Sequence, residues 1–332
     1  MYKRKSVHAS HTFNLPIFIC KCYTNYSRAG WQGKIDKVRT LDLCYAGVAD
    51  AHIQLLQHLP ALLELNLDSC PVGDTALAHL ANHNVAPNLR ALDLADTDLT
   101  DTGMIHIAKF RKLQHLSIFY CDVSNRGLKY LAQLPDLEIL NLDSRDITDE
   151  GLRHLRKLTK LKNLDIFSGR ITDVGCGHLS KIKSLETLEL CGGSIGDQGC
   201  SYLGSLENLT SLNLSQNERI SNRGAAALAA LTKLKALNLS NTSVDGSALC
   251  YFSELYELQS LSMYGCPGAK TGSEVFKLRD SLPKLKCLRT SSASDLDGRI
   301  NPILVATGGD PFLDMPMEED DLDDMDEYSD HD

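Results

Sequence analysis

The chain has 332 residues, 43% of them hydrophobic and 23% charged, and its formal net charge is −9. Residues 314–332 hold eight Asp, three Glu and no Lys or Arg, so the rest of the chain carries a net charge of only +2. Phosphate backbones need a basic surface, which argues against nucleic acid as a partner. No run of 18 or more apolar residues occurs, and we therefore expect no membrane association.

Residues 1–34 do not fit the pattern of the rest, and we interpret them as an N-terminal extension or cap. They begin with a basic stretch, and their apolar run at residues 16–20 is too short for a secretory signal. Cys20 and Cys22 form a lone C-x-C without the further ligands that a zinc site requires.

One leucine pattern recurs over residues 35–292. In the copy at residues 137–160, Leu137, Leu140 and Leu142 follow L-x-x-L-x-L, and Leu152 and Leu155 follow at helical spacing. The interval between copies is 24 residues in seven of ten cases, with starts at Val38, Leu62, Leu89, Leu113, Leu137, Leu161, Leu185, Leu209, Leu234, Leu258 and Leu285. This period predicts an α/β leucine-rich-repeat solenoid, a horseshoe of about 10–11 repeats with parallel strands on the concave face and helices on the convex face.

Two further columns repeat with the leucines. Short polar residues at each predicted helix start are interpreted as caps of that helix, and they are Asp50, Asp74, Asp101, Asn125, Asp149, Asp173, Asp197 and Asn222. Glycines follow two residues later, where a missing side chain lets neighbouring helices approach closely, at Gly103, Gly127, Gly151, Gly175, Gly199 and Gly224.

The pattern fails near the end of the chain. Residues 293–313 are rich in Ser, Asp, Gly and Pro, which suits a C-terminal cap or tether. Residues 314–332 form a like-charge block with too little apolar content to fold alone, and they predict a disordered acidic tail. Eleven scattered cysteines favour reduced thiols and a cytoplasmic protein, with the nucleus as the alternative.

We recognise no motif for catalysis in the sequence. The GWQGK stretch at residues 30–34 lacks the spacing and the closing Ser or Thr of a phosphate-binding loop. His79 and His83 lie one helical turn apart but lack the glutamate of a zinc protease. We therefore expect no enzyme, no catalytic residue, no metal and no cofactor.

The predicted concave face carries the best candidate for binding. Polar and acidic residues alternate there with the strand leucines, and aromatic residues stand beside them where no packing is expected. Aromatic anchors next to charge dominate interface energetics, so we predict a partner-binding patch made of His115, Phe119, Tyr120, Asp143, Asp165 and Phe167. The alternatives are that these aromatics cover one another or that the tail folds over them. A partner would be a protein with a basic patch, and the chain itself is expected to be a monomer.

The motif T-D-x-G-L-x-x-L, seen at residues 147–155 and nearly so at 171–179, resembles the ribonuclease-inhibitor-like class of leucine-rich repeats. The repeats are especially similar to those of F-box/leucine-rich-repeat proteins. That resemblance implies a substrate-recognition subunit of an SCF-type ubiquitin ligase, with ligase components as partners, although residues 1–34 show no F-box. An array with an acidic tail also resembles the acidic leucine-rich nuclear phosphoproteins, which implies histone binding. Our favoured hypothesis is a non-catalytic protein-binding scaffold.

Overall fold

The computed structural model describes residues 37–83, 85–142, 146–166, 170–267 and 273–290. It contains an eleven-stranded sheet in which each strand pairs in parallel with the next along the chain. The strands have three residues each and are β1 Thr40–Asp42, β2 Glu64–Asn66, β3 Ala91–Asp93, β4 His115–Ser117, β5 Ile139–Asn141, β6 Asn163–Asp165, β7 Thr187–Glu189, β8 Ser211–Asn213, β9 Ala236–Asn238, β10 Ser260–Ser262 and β11 Cys287–Arg289.

Helices alternate with the strands, as the pattern predicts. They are α1 Asp50–Ile53, α2 Asp74–Asn82, α3 Met104–Ile107, α4 Asn125–Leu128, α5 Asp149–Leu155, α6 Asp173–Leu179, α7 Asp197–Leu203, α8 Asn222–Leu228 and α9 Ser273–Ser281. Short 3₁₀ helices cover Gln54–His58, Leu131–Gln133 and Gly246–Phe252. None of the helices in the described ranges is both long and apolar enough to cross a bilayer.

The middle residue of every strand is a leucine that points toward the helices. These leucines lie in register from strand to strand, as Leu116 does with Leu92 and Leu140. From Leu65 to Leu288 each of them is buried, and with the helix leucines they form one continuous core. Burying a leucine side chain contributes about 2 kcal/mol, so this column alone fixes which face of the sheet is inside.

The strands are shorter than the leucine pattern suggests. The predicted starts, such as Leu137, lie two residues before the first paired residue, here Ile139. The reason is that Leu137 belongs to the preceding turn, where its N–H bonds to the carbonyl of Leu134. Cys20, Cys22, the N-terminal extension, the proposed cap or tether and the acidic tail lie outside the described residues.

Cysteine and other small polar side chains close the turn after the strands. The thiol of Cys121 donates to the carbonyl of Leu94 at 3.0 Å, and that of Cys70 donates to Leu43 at 3.1 Å. Asn217 fills the same position and reaches the carbonyl of Leu190 at 2.9 Å. All nine cysteines among the described residues are free. These buried thiols thus satisfy backbone carbonyls, which would otherwise be costly to bury.

The polar column at the helix starts does not cap its own helix, and this interpretation was wrong. Each side-chain oxygen accepts the backbone N–H of a residue just before the helix of the next repeat, at 2.7 to 3.0 Å. We call these contacts the inter-repeat ladder, and its pairs are Asp50 with Gly73, Asp74 with Thr100, Asp101 with Ser124, Asn125 with Thr148, Asp149 with Thr172, Asp173 with Gly196, Asp197 with Ser221 and Asn222 with Asp245.

The cap itself is the residue one position earlier. Ser124, Thr172 and Ser221 each accept the N–H two residues ahead, as N-cap hydroxyls do. Sequence reasoning missed this division because an aspartate at a helix start is equally compatible with capping its own helix and with capping the next one.

The glycine column is explained by the same ladder. A Cβ built on Gly175 would contact Oδ1 of Asp149 and lie 3.0 Å from Cδ1 of Leu152, both in the preceding repeat. No L side chain fits there unless a neighbour moves. The close approach of successive helices, which the sequence predicts, therefore depends on these glycines.

We expect Asp197→Ala to lower the free energy of unfolding by about 2 kcal/mol, because buried N–H groups lose their acceptor. Asp197 receives the N–H of Ser221 at 2.8 Å, its hydroxyl at 2.7 Å and the N–H of Gly224 at 2.9 Å. Asp197→Asn is the matched control, since Asn125 and Asn222 occupy this column naturally. Urea denaturation measures both, and equal losses in the two variants would contradict the ladder.

The pH dependence adds a second readout for the same aspartate. Burial raises the pKa of Asp197, but the hydrogen bonds from Ser221 and Gly224 and the charge of Arg223 together lower it below 3.8. The ionised side chain therefore stabilises the fold above pH 3.8, and that contribution is lost as the pH falls through the lowered pKa. At acidic pH, the free energy of unfolding of the wild type should therefore approach that of Asp197→Asn.

A second pair of substitutions tests the glycine column within one helix. Gly175→Ala should destabilise the chain by about 1–3 kcal/mol through overpacking. In the same helix, a Cβ on Gly177 would lie 3.5 Å from the ring of Tyr202, which is an ordinary contact. Gly177→Ala should therefore be neutral or stabilise by up to about 1 kcal/mol from helix propensity. Thermal unfolding in which both variants lose the same stability would contradict the explanation.

Candidate functional site

The face of the sheet opposite the helices is the predicted concave face. We call it the strand face and define it by the first and third residues of each strand and the residue two positions beyond. From β1 to β10 none of its described positions is Lys or Arg. Six are acidic, namely Asp42, Glu64, Asp68, Asp93, Asp165 and Glu189. The described strand face is therefore polar and partly acidic in composition.

The turn after β4 carries the most prominent aromatic group on this face. The rings of Phe119 and Tyr120 pack edge to face with centroids 4.5 Å apart. The turn is held from behind, because the thiol of Cys121 donates to the carbonyl of Leu94 and the N–H of Asp96 donates to the carbonyl of Phe119 at 2.8 Å. Phe119 is half-buried, whereas Tyr120 is 60% exposed. The pair is thus positioned rigidly with one ring facing solvent.

Tyr120 also has a strained backbone. Its φ is +56°, in the left-handed region that bulky side chains rarely occupy. The equivalent turn position holds Gly192 at φ +74° and Gly265 at φ +71° elsewhere in the array. Tyr45, 78% exposed, has the same conformation at φ +55°. Ser69, Asp96, Gln216 and Asn241 have positive φ at the same position, so this conformation belongs to the repeat turn, and a tyrosine there costs on the order of 1 kcal/mol relative to glycine.

The other predicted site residues are placed at different distances from this turn. His115 is the exposed first residue of β4 and lies on the same strand as the Phe119–Tyr120 turn. Asp165 ends β6, two strands away, which corresponds to about 10 Å. Asp143 and Phe167 lie outside the described residues, so the structure brings together His115, Phe119 and Tyr120 and leaves Asp165 at the margin.

Sequence reasoning missed an apolar member of this patch. Ile139 is paired in register with His115 and is 38% exposed, although most strand-face positions are polar. The signal was present, because an isoleucine stands where the next three strands begin with Asn, Thr and Ser. It was overlooked since isoleucine also suits a buried strand position. We define the β4–β5 patch as His115, Phe119, Tyr120 and Ile139.

Two carboxyl groups meet further along the strand face. Glu189 on β7 is in register with Asp165 on β6. Burial raises the pKa of Glu189 to about 7, a hydrogen bond with Asn213 opposes this, and the negative charge of Asp165 adds to it. Burial, together with both carboxylates, also raises the pKa of the Cys191 thiol to about 11. A further negative charge is therefore unfavourable at this part of the face, and a nearby cation would reduce the repulsion between the carboxylates.

A basic surface lies apart from the strand face, at the edge where β1–β4 begin. A shallow hollow of about 380 Å³ is lined there by Arg39, Ala61, Leu63, Asn88, Arg90 and Lys112. Sequence reasoning did not single it out, because its cations are far apart along the chain. In the described part of the protein, no group of three or more His, Cys, Asp or Glu residues could hold a metal ion.

Comparisons with known proteins bear on the repeats. A family model described as Leucine Rich repeat matches residues 85–108, 111–132 and 205–229. Internalin C2 of Listeria monocytogenes is 27% identical, with a TM-score of 0.55 over 67% of this chain and 91% of that one. The chain is a leucine-rich repeat protein. The leucine-rich repeat protein also matches an internalin (inlF) of the same organism at 23% identity and a TM-score of 0.58, over 83% of this chain and 89% of that one.

No curated protein matches the sequence of this leucine-rich repeat protein. The repeat matches support a protein-interaction scaffold as its general class. They do not bear on the resemblance to F-box proteins, which stays a prediction.

The paired carboxyls predict a specific pH dependence. The folded chain keeps the proton of Glu189 up to about pH 7, whereas an ordinary glutamate has a pKa of 4.5. Stability from this proton is fully present below pH 4.5 and is lost as the pH rises through 7. Compared with Glu189→Gln, the wild type should therefore lose on the order of 2–3 kcal/mol between about pH 5 and 8. Parallel stability curves in urea at these pH values would contradict the assignment.

Proposed function

We propose that this chain is a non-catalytic scaffold that binds a protein partner on the strand face around β4 and β5. The observation that carries this proposal is the β4–β5 patch, an exposed aromatic and aliphatic surface within an acidic stripe. Tyr120 is 60% exposed and is not part of the leucine core, so packing does not explain an aromatic side chain at this position. Aromatic residues that are rigid and partly desolvated are the usual anchors of protein interfaces.

The charges on the strand face indicate the chemistry of the partner. The acidic positions from Asp42 to Asp165 flank the patch on both sides, and none of the described strand-face positions on β1 to β10 is Lys or Arg. A partner that presents Lys or Arg around an apolar side chain would complement both features. Such charge complementarity increases the association rate and the specificity more than the affinity.

Affinity capture from the native cell, followed by mass spectrometry, would discriminate between classes of partner. Recovery of a cullin adaptor would favour the substrate-recognition subunit of a ubiquitin ligase. Recovery of histones that depends on residues 314–332 would favour the acidic nuclear class. A basic partner that is retained without residues 314–332 supports the scaffold proposed above.

Tyr120→Gly separates binding from folding. Glycine relieves the positive φ, so we expect unchanged stability or a gain of about 1 kcal/mol, together with at least a tenfold loss of affinity for the captured partner. Gln216→Gly is the matched control, because Gln216 has φ +61° in the equivalent turn after β8 and lies four strands away. The control should gain similar stability and keep its affinity. Equal affinity of the two variants would refute the patch.

A further inference from the structure

The basic surface at the start of β1–β4 is built from two columns of side chains. The columns are formed by the residues one and three positions before each strand. At β1 to β4 the first column is Arg39, Leu63, Arg90 and Gln114, and the second is Lys37, Ala61, Asn88 and Lys112. Four of these residues are cations and none is acidic. We call this part of the sheet edge the basic edge.

Backbone hydrogen bonds set the spacing of the cations. The N–H of Leu63 donates to the carbonyl of Arg39, and the N–H of Arg90 donates to the carbonyl of Leu63, both at 2.7 Å. The two arginines therefore start two strands apart, at about 10 Å, with the half-buried Leu63 between them. Nζ of Lys112 is held at 2.6 Å by Oδ1 of Asn88. Arg39, Arg90 and Lys112 thus surround the hollow of about 380 Å³, in which Ala61 and Leu63 provide apolar surface.

The same two columns further along the edge provide an internal comparison. There, cations are matched by acids of the neighbouring repeat, and the pairs are Lys160 with Asp136 at 2.6 Å, Lys162 with Glu138 at 2.8 Å and Lys284 with Glu257 at 2.6 Å. The side chains of Arg39 and Arg90 form no ion pair with any described residue. The basic edge therefore carries positive charge that the neighbouring repeats do not balance in the way they do elsewhere.

The acid next to this column in the sequence belongs to the strand face. Glu64 follows Leu63, but it is the first residue of β2, and its carboxylate accepts the hydroxyl of Thr40 at 3.2 Å. An acidic ligand is therefore attracted to the hollow and repelled from the adjoining strand face.

We propose that the basic edge at β1–β4 binds an extended acidic segment of a second protein partner. The guanidinium groups of Arg39 and Arg90 can each bind a carboxylate in bidentate geometry, which lysines cannot do. Every second residue of an extended segment faces the same side. A pattern of Glu-x-Leu-x-Glu therefore places an apolar side chain over Leu63 and a carboxylate on either side of it.

A protein segment suits this surface better than a nucleic acid. Phosphates recur along a nucleic acid, which would extend beyond the hollow and meet the acidic residues of the strand face. The apolar surface of Ala61 and Leu63 also favours an apolar side chain between the charged groups. The proposal does not depend on the strand-face binding proposed above. One array would bind two partners of opposite charge, a basic one on the strand face and an acidic one on the basic edge.

Fluorescence anisotropy with the full chain tests the basic edge. The probe is a dye-labelled peptide, Gly-Glu-Ser-Leu-Ser-Glu-Gly, and its control carries Gln in place of both Glu residues. We expect the Glu peptide to bind at least tenfold more tightly than the Gln peptide. Arg90→Glu should reduce the affinity for the Glu peptide at least tenfold, because an attraction becomes a repulsion. Arg39→Glu repeats the test on the other side of the hollow.

Lys235→Glu is the matched control. Lys235 is exposed in the same column, directly before β9, and its reversal changes the net charge by the same amount. It lies six strands from Arg90, well beyond the distance of about 10 Å over which exposed charges interact at 0.1 M salt. This variant should keep the affinity of the wild type, and thermal unfolding should show that all three variants fold.

Three results would overturn the proposal. The first is equal affinity for the two peptides, or an equal loss in Arg90→Glu and Lys235→Glu. The second is tighter binding of an oligothymidylate that also depends on Arg90, which would assign the basic edge to phosphate. The third is binding of the Glu peptide only after residues 314–332 are removed, which would assign the hollow to the acidic end of the chain itself.

Discussion

The inter-repeat ladder is the constraint on which the rest of the structure depends. Each polar side chain at a helix start accepts an N–H of the following repeat, so successive helices are fixed relative to one another and not merely stacked. The leucine core supplies most of the free energy, but apolar contacts are not directional. The hydrogen bonds and the glycines that make room for them specify the spacing and the order of the repeats. The strand face is equally regular, because each strand pairs with its neighbours in the same register.

Most of the fold could be predicted because the leucine core, which contributes most of its stability, is periodic in the sequence. The leucine at the centre of each strand, such as Leu140, and the helix leucines, such as Leu152, recur at fixed spacing. This spacing alone predicts which residues are buried in the core. The ladder could not be predicted correctly, since Asp149 at a helix start looks the same in sequence whether it bonds within its repeat or to the next one. The start of α3 was predicted too early, at Asp101. The chain forms turns from Asp101 to Gly103 before the helix begins at Met104.

The candidate site was predictable to a smaller extent. Phe119 and Tyr120 stood out as aromatic residues at strand-face positions, and the structure places them beside His115. The strained φ of Tyr120 and the exposure of Ile139 depend on the turn geometry and on the register with β4, which a single sequence does not contain.

We propose that this ladder of repeats binds a partner at the acidic and aromatic β4–β5 patch. The most direct test is a hydrogen–deuterium exchange footprint of the full chain with and without the captured partner. The account predicts that protection on binding is concentrated at β4, β5 and the Phe119–Tyr120 turn, while the helices keep the exchange rates of the free chain. Protection confined to the helices, with the β4–β5 patch unchanged, would contradict the strand face as the binding surface.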